Sequence, residues 1–197
     1  MPAMVPAHVR RAGRIMLWGG FAFPVFVYVL IVVLVPLDVL DQQAGLKNFT
    51  EVVRLWLLSV SPSIDIFAHA QSTTFPQVAK LGAALGMCVT LLIAFAILVQ
   101  TTLFYGALRD AHAHRPLRSP ATRLAHVLVL PVVGLSCLWI FFCLKGDPSY
   151  APGASTQSRW GYIVLSALSI AMAGGGVGLW VMQIRFFIFD VFFRRSV

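Results

Sequence analysis

Residues 171–195 read AMAGGGVGLWVMQIRFFIFDVFFRR, from Ala171 to Arg195: three consecutive glycines in an apolar run, then an arginine among phenylalanines. In water such a helix is poor, because an interior glycine costs roughly 1 kcal/mol relative to alanine. In lipid the balance changes. Hydrocarbon is as apolar as leucine, so helices there associate through close packing of small residues. The stretch therefore points to a membrane, and it assigns the glycines to a contact between helices.

The rest of the chain agrees with that reading. Of its 197 residues, 59% are hydrophobic and 11% charged, with a mean hydropathy of +0.85, whereas ordinary globular domains carry about 25% charged residues. A helix needs about 20 apolar residues to cross about 30 Å of hydrocarbon. Four runs meet that length: Met16–Val35, Leu81–Leu108, Ala125–Leu144 and Tyr162–Ile184. The expected fold is all-α, a single polytopic domain over residues 1–197 with four transmembrane helices in a left-handed antiparallel bundle. Loops 36–80 and 145–161 lie on one side and loop 109–124 on the other.

The formal charge of +8 is unevenly divided by these spans. Arg10, Arg11, Arg14, Arg109, Arg115, Arg118, Arg123, Arg185, Arg194 and Arg195 share one side with only Asp110 and Asp190. The other side balances Lys47, Arg54, Lys80, Lys145 and Arg159 against Asp38, Asp41, Glu51, Asp65 and Asp147. By the positive-inside rule both termini and loop 109–124 are expected in the cytoplasm. No basic patch is interleaved with exposed aromatics, which excludes a nucleic-acid partner and leaves the lipid bilayer, with its anionic headgroups, as the partner of the arginines. Arginine outnumbers lysine amid much Ala, Val and Leu, a composition typical of GC-rich bacteria, so the expected site is a bacterial inner membrane.

The first span follows Arg10-Arg11 as a secretory signal would. It is too long for an h-region, and no small-residue cleavage site precedes Pro36 and Asp38, so it reads as an uncleaved anchor, kinked at Pro24. Cys88, Cys137 and Cys143 fall inside spans, and no disulfide is expected. In loop 36–80, Asn48 and Glu51 have capping-box spacing. They precede a stripe of Phe49, Val52, Val53, Trp56, Leu57 and Val60 that Pro62 stops. This predicts a short amphipathic helix on the outer membrane surface, with Trp56 at the interface or against a partner.

Helical spacing aligns Ala167, Ala171 and Gly175 on one edge of the last span, with Gly174 and Gly178 beside it. The second span carries Gly82, Gly86, Thr90 and Ala94 on a matching stripe. The two spans are expected to touch through these faces; a partner subunit's helix or a substrate path are the other uses such faces could have. At the end of the last span Arg185 is expected to snorkel to the interface. Beyond it Phe186, Phe187, Phe189, Phe192 and Phe193 read as an interfacial anchor or a partner patch, with Asp190 paired to Arg194.

Chemistry inside a membrane needs ionisable residues facing a cavity, and the span centres contain none. His112 and His114 are placed in a loop, near neither a cysteine nor a carboxylate pair, and Ser136 and Cys137 lack a base. No catalytic residue, metal or cofactor is therefore expected. The function that fits is a non-enzymatic assembly or scaffold subunit of an envelope complex of secretion, conjugation or respiratory type, with other membrane subunits as partners. The alternatives are an immunity protein against a pore-forming toxin and a small transporter.

Overall fold

A computed structural model describes residues 7–60, 65, 67, 70, 73–113, 119–138 and 158–192. Every regular element among them is helical: α1 (Ala7–Leu17), a π-helical turn (Trp18–Ala22), α2 (Phe23–Leu34), α3 (Val39–Gln42), α4 (Ala44–Val60), α5 (Pro76–Leu103), α6 (Tyr105–Ala113), α7 (Pro120–Leu138) and α8 (Arg159–Phe192). Three helical segments are long and apolar enough to cross a membrane: Arg10–Leu34, Pro76–Leu103 and Arg159–Phe192. The apolar stretch of α7 that the structure describes is shorter, Val127–Cys137. Residues 139–144 of the expected third span, and nearly all of loop 145–161, lie outside the described residues.

The break in the first segment follows from Pro24. Proline has no N–H to give the Gly20 carbonyl, and its ring crowds that oxygen. The chain responds by widening one turn, so that the Phe23 N–H bonds to Trp18 O five residues back. The helix then continues to Leu34, and Val35 turns extended, with φ −68° and ψ 134°. Pro36 forces that conformation on the residue before it.

Side-chain caps mark three other helix starts. Ser119 Oγ accepts the Thr122 N–H at 3.2 Å ahead of Pro120, and Ser158 Oγ accepts the Gly161 N–H at 3.0 Å, so a serine caps both α7 and α8. Short α3 has a borrowed cap: Gln77 Oε1, from α5, accepts the Leu40 N–H at 2.9 Å. The capping box expected at Asn48 does not form. Helix α4 begins at Ala44, and the Lys47 N–H already bonds to Gln43 O at 3.1 Å, so Asn48 lies within the ladder and no orphan donors remain for it to serve. Its apolar stripe also divides. Phe49, Val53 and Leu57 pack on the core, whereas Val52, Leu55, Trp56 and Val60 are exposed.

Two boundaries differ from the sequence reading. The second span ends at Leu103, and Tyr105–Ala113 forms α6, so the start of the expected loop 109–124 is helical. Its YGALRDAHA sequence is rich in alanine, leucine and arginine, which are good helix formers. The last helix does not end near Ile184 but runs 34 residues to Phe192, about 51 Å at 1.5 Å per residue.

The helices are not arranged as a square bundle. Helix α8 lies at the centre, packed against α5, which runs parallel to it, and against α7, while α2 packs on both α5 and α8. The main core holds Tyr28 and Val32 of α2, Ile93 and Ile97 of α5, and Tyr162 and Ile170 of α8, with Val53 of α4 beside them.

Candidate functional site: the central helix and its polar clasps

The three glycines of α8 answer to its central position. No described glycine has a positive φ, so none is needed for backbone conformation. Closeness is what they supply. A Cβ on Gly174 would lie 2.8 Å from Ile93 Cβ and 3.0 Å from Thr90 O of α5. A Cβ on Gly175 would lie 2.8 Å from the Phe21 ring of the π-helical turn. On the α7 side the small residue is in the partner: a Cβ on Gly134 would lie 2.7 Å from Met172 O and 3.1 Å from Ala173 Cα. Consecutive residues of a helix point about 100° apart, so residues 172–175 address three neighbours at one level.

The contact between the stripes of α5 and α8 continues above and below that level. A Cβ on Gly178 would meet Ile97 Cβ at 2.8 Å and Ala94 O at 3.2 Å, and one on Gly82 would meet the Tyr162 hydroxyl at 2.8 Å. Gly86 and Thr90 are buried on the same side of α5, Thr90 bonding to Gly86 O at 2.8 Å. Ala94, Ala167 and Ala171 are half-buried. The structure thus brings Thr90, Ala94, Gly174 and Gly178 together and turns Gly175 toward span one.

Polar side chains tie the same helices together at the end remote from the arginine-rich segments. The Tyr28 hydroxyl donates to Ser166 Oγ at 2.8 Å, and the Tyr162 hydroxyl donates to Ala79 O at 3.0 Å. Tyr28, Tyr162 and Ser166 are almost fully buried. Nearby, Arg159 Nη2 donates to Val32 O at 2.6 Å and Val33 O at 2.9 Å, and also to Val35 O. A cation at a helix N-terminus is badly placed with respect to its own dipole. Arg159 is held there by the last carbonyls of α2, which are the negative end of another helix.

At the arginine-rich end, α6 runs beside the end of α8. His112 Nε2 lies 3.0 Å from Asp190 Oδ2, the carboxylate residue being only 3% exposed, and the His112 ring stacks on Phe186 at 4.3 Å. His112 therefore belongs to a helix, contrary to its reading as a loop residue, and it has a single carboxylate partner. The partner of Asp190 shown here is His112; Arg194 and Phe193 lie outside the described residues. Arg185 donates to Thr102 Oγ1 at 2.9 Å and lies over the Tyr105 ring, while Arg109 lies over Phe189. The phenylalanine-rich end is thus partly covered by the chain's own α6, with Phe186 buried and Phe192 exposed.

Among the described residues no three His, Cys, Asp or Glu side chains are placed to share a metal ion. Three buried polar atoms, Gln100 Oε1, Arg159 Nε and Trp180 Nε1, have no hydrogen-bond partner among the described residues. Gln100 packs on the backbone of the π-helical turn, where a Cβ on Gly20 would lie 2.8 Å from Oε1. Beyond α4, Arg54 makes a two-pronged bond to Asp65 at 3.2 and 3.3 Å, which raises its pKa above the usual value. Trp56 stays exposed.

The tyrosine and arginine clasps carry no motif, yet single-residue signals mark them. Tyr28 is the one hydrogen-bonding side chain in FPVFVYVLIVVL, and a buried tyrosine hydroxyl needs an acceptor. Comparison of the chain with protein-family models, curated proteins and solved structures finds no match.

Two measurements test this account of the central helix. Gly174→Ala should lower stability by about 1–3 kcal/mol, since the backbone of α5 blocks relaxation, whereas Gly45→Ala, with open space at its Cβ, should raise it by up to about 1 kcal/mol. Unfolding in detergent distinguishes the two. A double-mutant cycle of Tyr28→Phe and Ser166→Ala should return a coupling of about 0.6 kcal/mol, the average for hydrogen bonds between membrane helices.

Proposed function

We propose that the chain is a non-enzymatic, four-span subunit of a bacterial inner membrane, with both termini in the cytoplasm, that acts as an assembly or scaffold component of an envelope complex. A fourth span is supported by α7, whose apolar sequence continues beyond Leu138 to Leu144. The orientation is supported by the sidedness of the arginines. A short amphipathic helix on the outer surface is supported by α4, which packs one seam inward and leaves the Val52, Trp56 and Val60 row outward.

The observation that carries the assembly role is the one-sided attachment of α7. Its close approach to α8 is made at Gly134, while Leu128, Val129, Val132 and Leu135 remain exposed. The glycine faces of α8 are already occupied by this chain's own helices. Contacts with other subunits then fall to the outward faces of α7 and α4 and to the C-terminal aromatic segment. In a bilayer such faces accept either lipid or a neighbouring helix, and packing is the only chemistry they offer.

Extraction in a mild detergent should recover the tagged protein in a stoichiometric complex with other membrane subunits; a solitary, stable monomer would overturn the assembly role. Orientation is read separately in cysteine-free protein. A Ser119→Cys variant should resist a membrane-impermeant maleimide in intact spheroplasts and a Lys47→Cys variant should react, and the opposite pattern would reverse the topology.

A further inference from the structure

We propose that α1 carries a binding site for an anionic phospholipid, its phosphodiester held between Arg10 and Arg14. A cavity of about 710 Å³, wide open to the surface, lies along this helix, and Ala7, Arg10, Gly13, Arg14 and Leu17 are the described residues that line it. These residues share one face, opposite the buried Ala12 that α1 turns toward the bundle. Gly13 leaves the floor between the two guanidinium groups open, with nothing within 4 Å of a Cβ placed there. Residues four apart on a helix are neighbours, and arginine is suited to gripping phosphate oxygens in pairs.

The charge of the site is uncompensated within the described residues. Arg10 and Arg14 make no ion pair there. The acidic side chains described at this end, Asp110 and Asp190, are engaged by Arg109 and His112. An anion is therefore the missing counterpart, and its further chemistry follows from what adjoins the arginines. Leu17 and Trp18 are 55% and 67% exposed one turn further on, where the helix enters its apolar run. A ligand that fits is a phosphate followed by acyl chains, with the indole at the level where headgroup meets hydrocarbon. A soluble phosphate compound would leave that apolar half of the face unused.

The inference draws on the proposed cytoplasmic placement of α1 only to name the leaflet. Full-length protein in detergent is titrated with dioctanoyl phosphatidylglycerol, dioctanoyl phosphatidylcholine and inorganic phosphate, and bound lipid is read by native mass spectrometry. This reads the site itself, so the orientation can fail while the site stands. Phosphatidylglycerol should bind about 30-fold more tightly than phosphatidylcholine, the preference two surface arginines supply. R10Q/R14Q should abolish the preference with thermal unfolding unchanged, and R11Q, outside the cavity lining, should keep it. Equal binding of the two lipids, a preference that survives R10Q/R14Q, or its equal loss in R11Q would overturn the site. Displacement of the lipid by millimolar inorganic phosphate would overturn its assignment to a lipid.

Discussion

The structure depends on backbones that approach more closely than side chains permit. At the level of residues 172–175, α8 meets α5, the π-helical turn and α7, and in each pairing one helix has surrendered its Cβ. Lipid offers no hydrophobic reward for hiding a leucine, so the contact enthalpy of well-fitted surfaces has to hold the helices together. A glycine triplet that would weaken a helix in water here makes that helix the hub. Within the triplet Gly174 faces α5 and Gly175 faces the π-helical turn.

Polar clasps fix what dispersion alone leaves free, the register and rotation of each helix about the hub. Tyr28 to Ser166 and Tyr162 to Ala79 join helices α2 and α5 to α8 at one depth. His112 to Asp190 and Arg185 to Thr102 do the same for α6 and α5 at the opposite end. Each satisfies groups that would otherwise stand unpaired in a weakly polar medium. Each joins segments distant in sequence, so each sets one helix against another.

How much of this was legible beforehand depended on whether a feature is local. The helical class, the long apolar segments and the small-residue stripes follow from periodicity and composition, which is why the Gly82, Gly86, Thr90 and Ala94 stripe could be set against the small residues of the last helix from the sequence. The role of Gly175 was not readable in this way, because a stripe drawn on one helix says nothing about how many neighbours surround it. The capping box at Asn48 was a sound local signal overridden by an earlier start of the same helix. The pairing of His112 with Asp190 was not readable because the two are 78 residues apart. Arg159 was counted as a charge for orientation, while its function as a cap on α2 needed the fold to appear.

That cap has a consequence for how the molecule is made. The carbonyls closing α2 wait for a side chain synthesised 124 to 127 residues later, and the hub itself is the last of the described helices to leave the ribosome. Until then α2, α3 and α4 can gather on α5, but α7 lacks its main neighbour and α2 ends in open carbonyls. The arrival of the final helix is what joins these pieces into a single body.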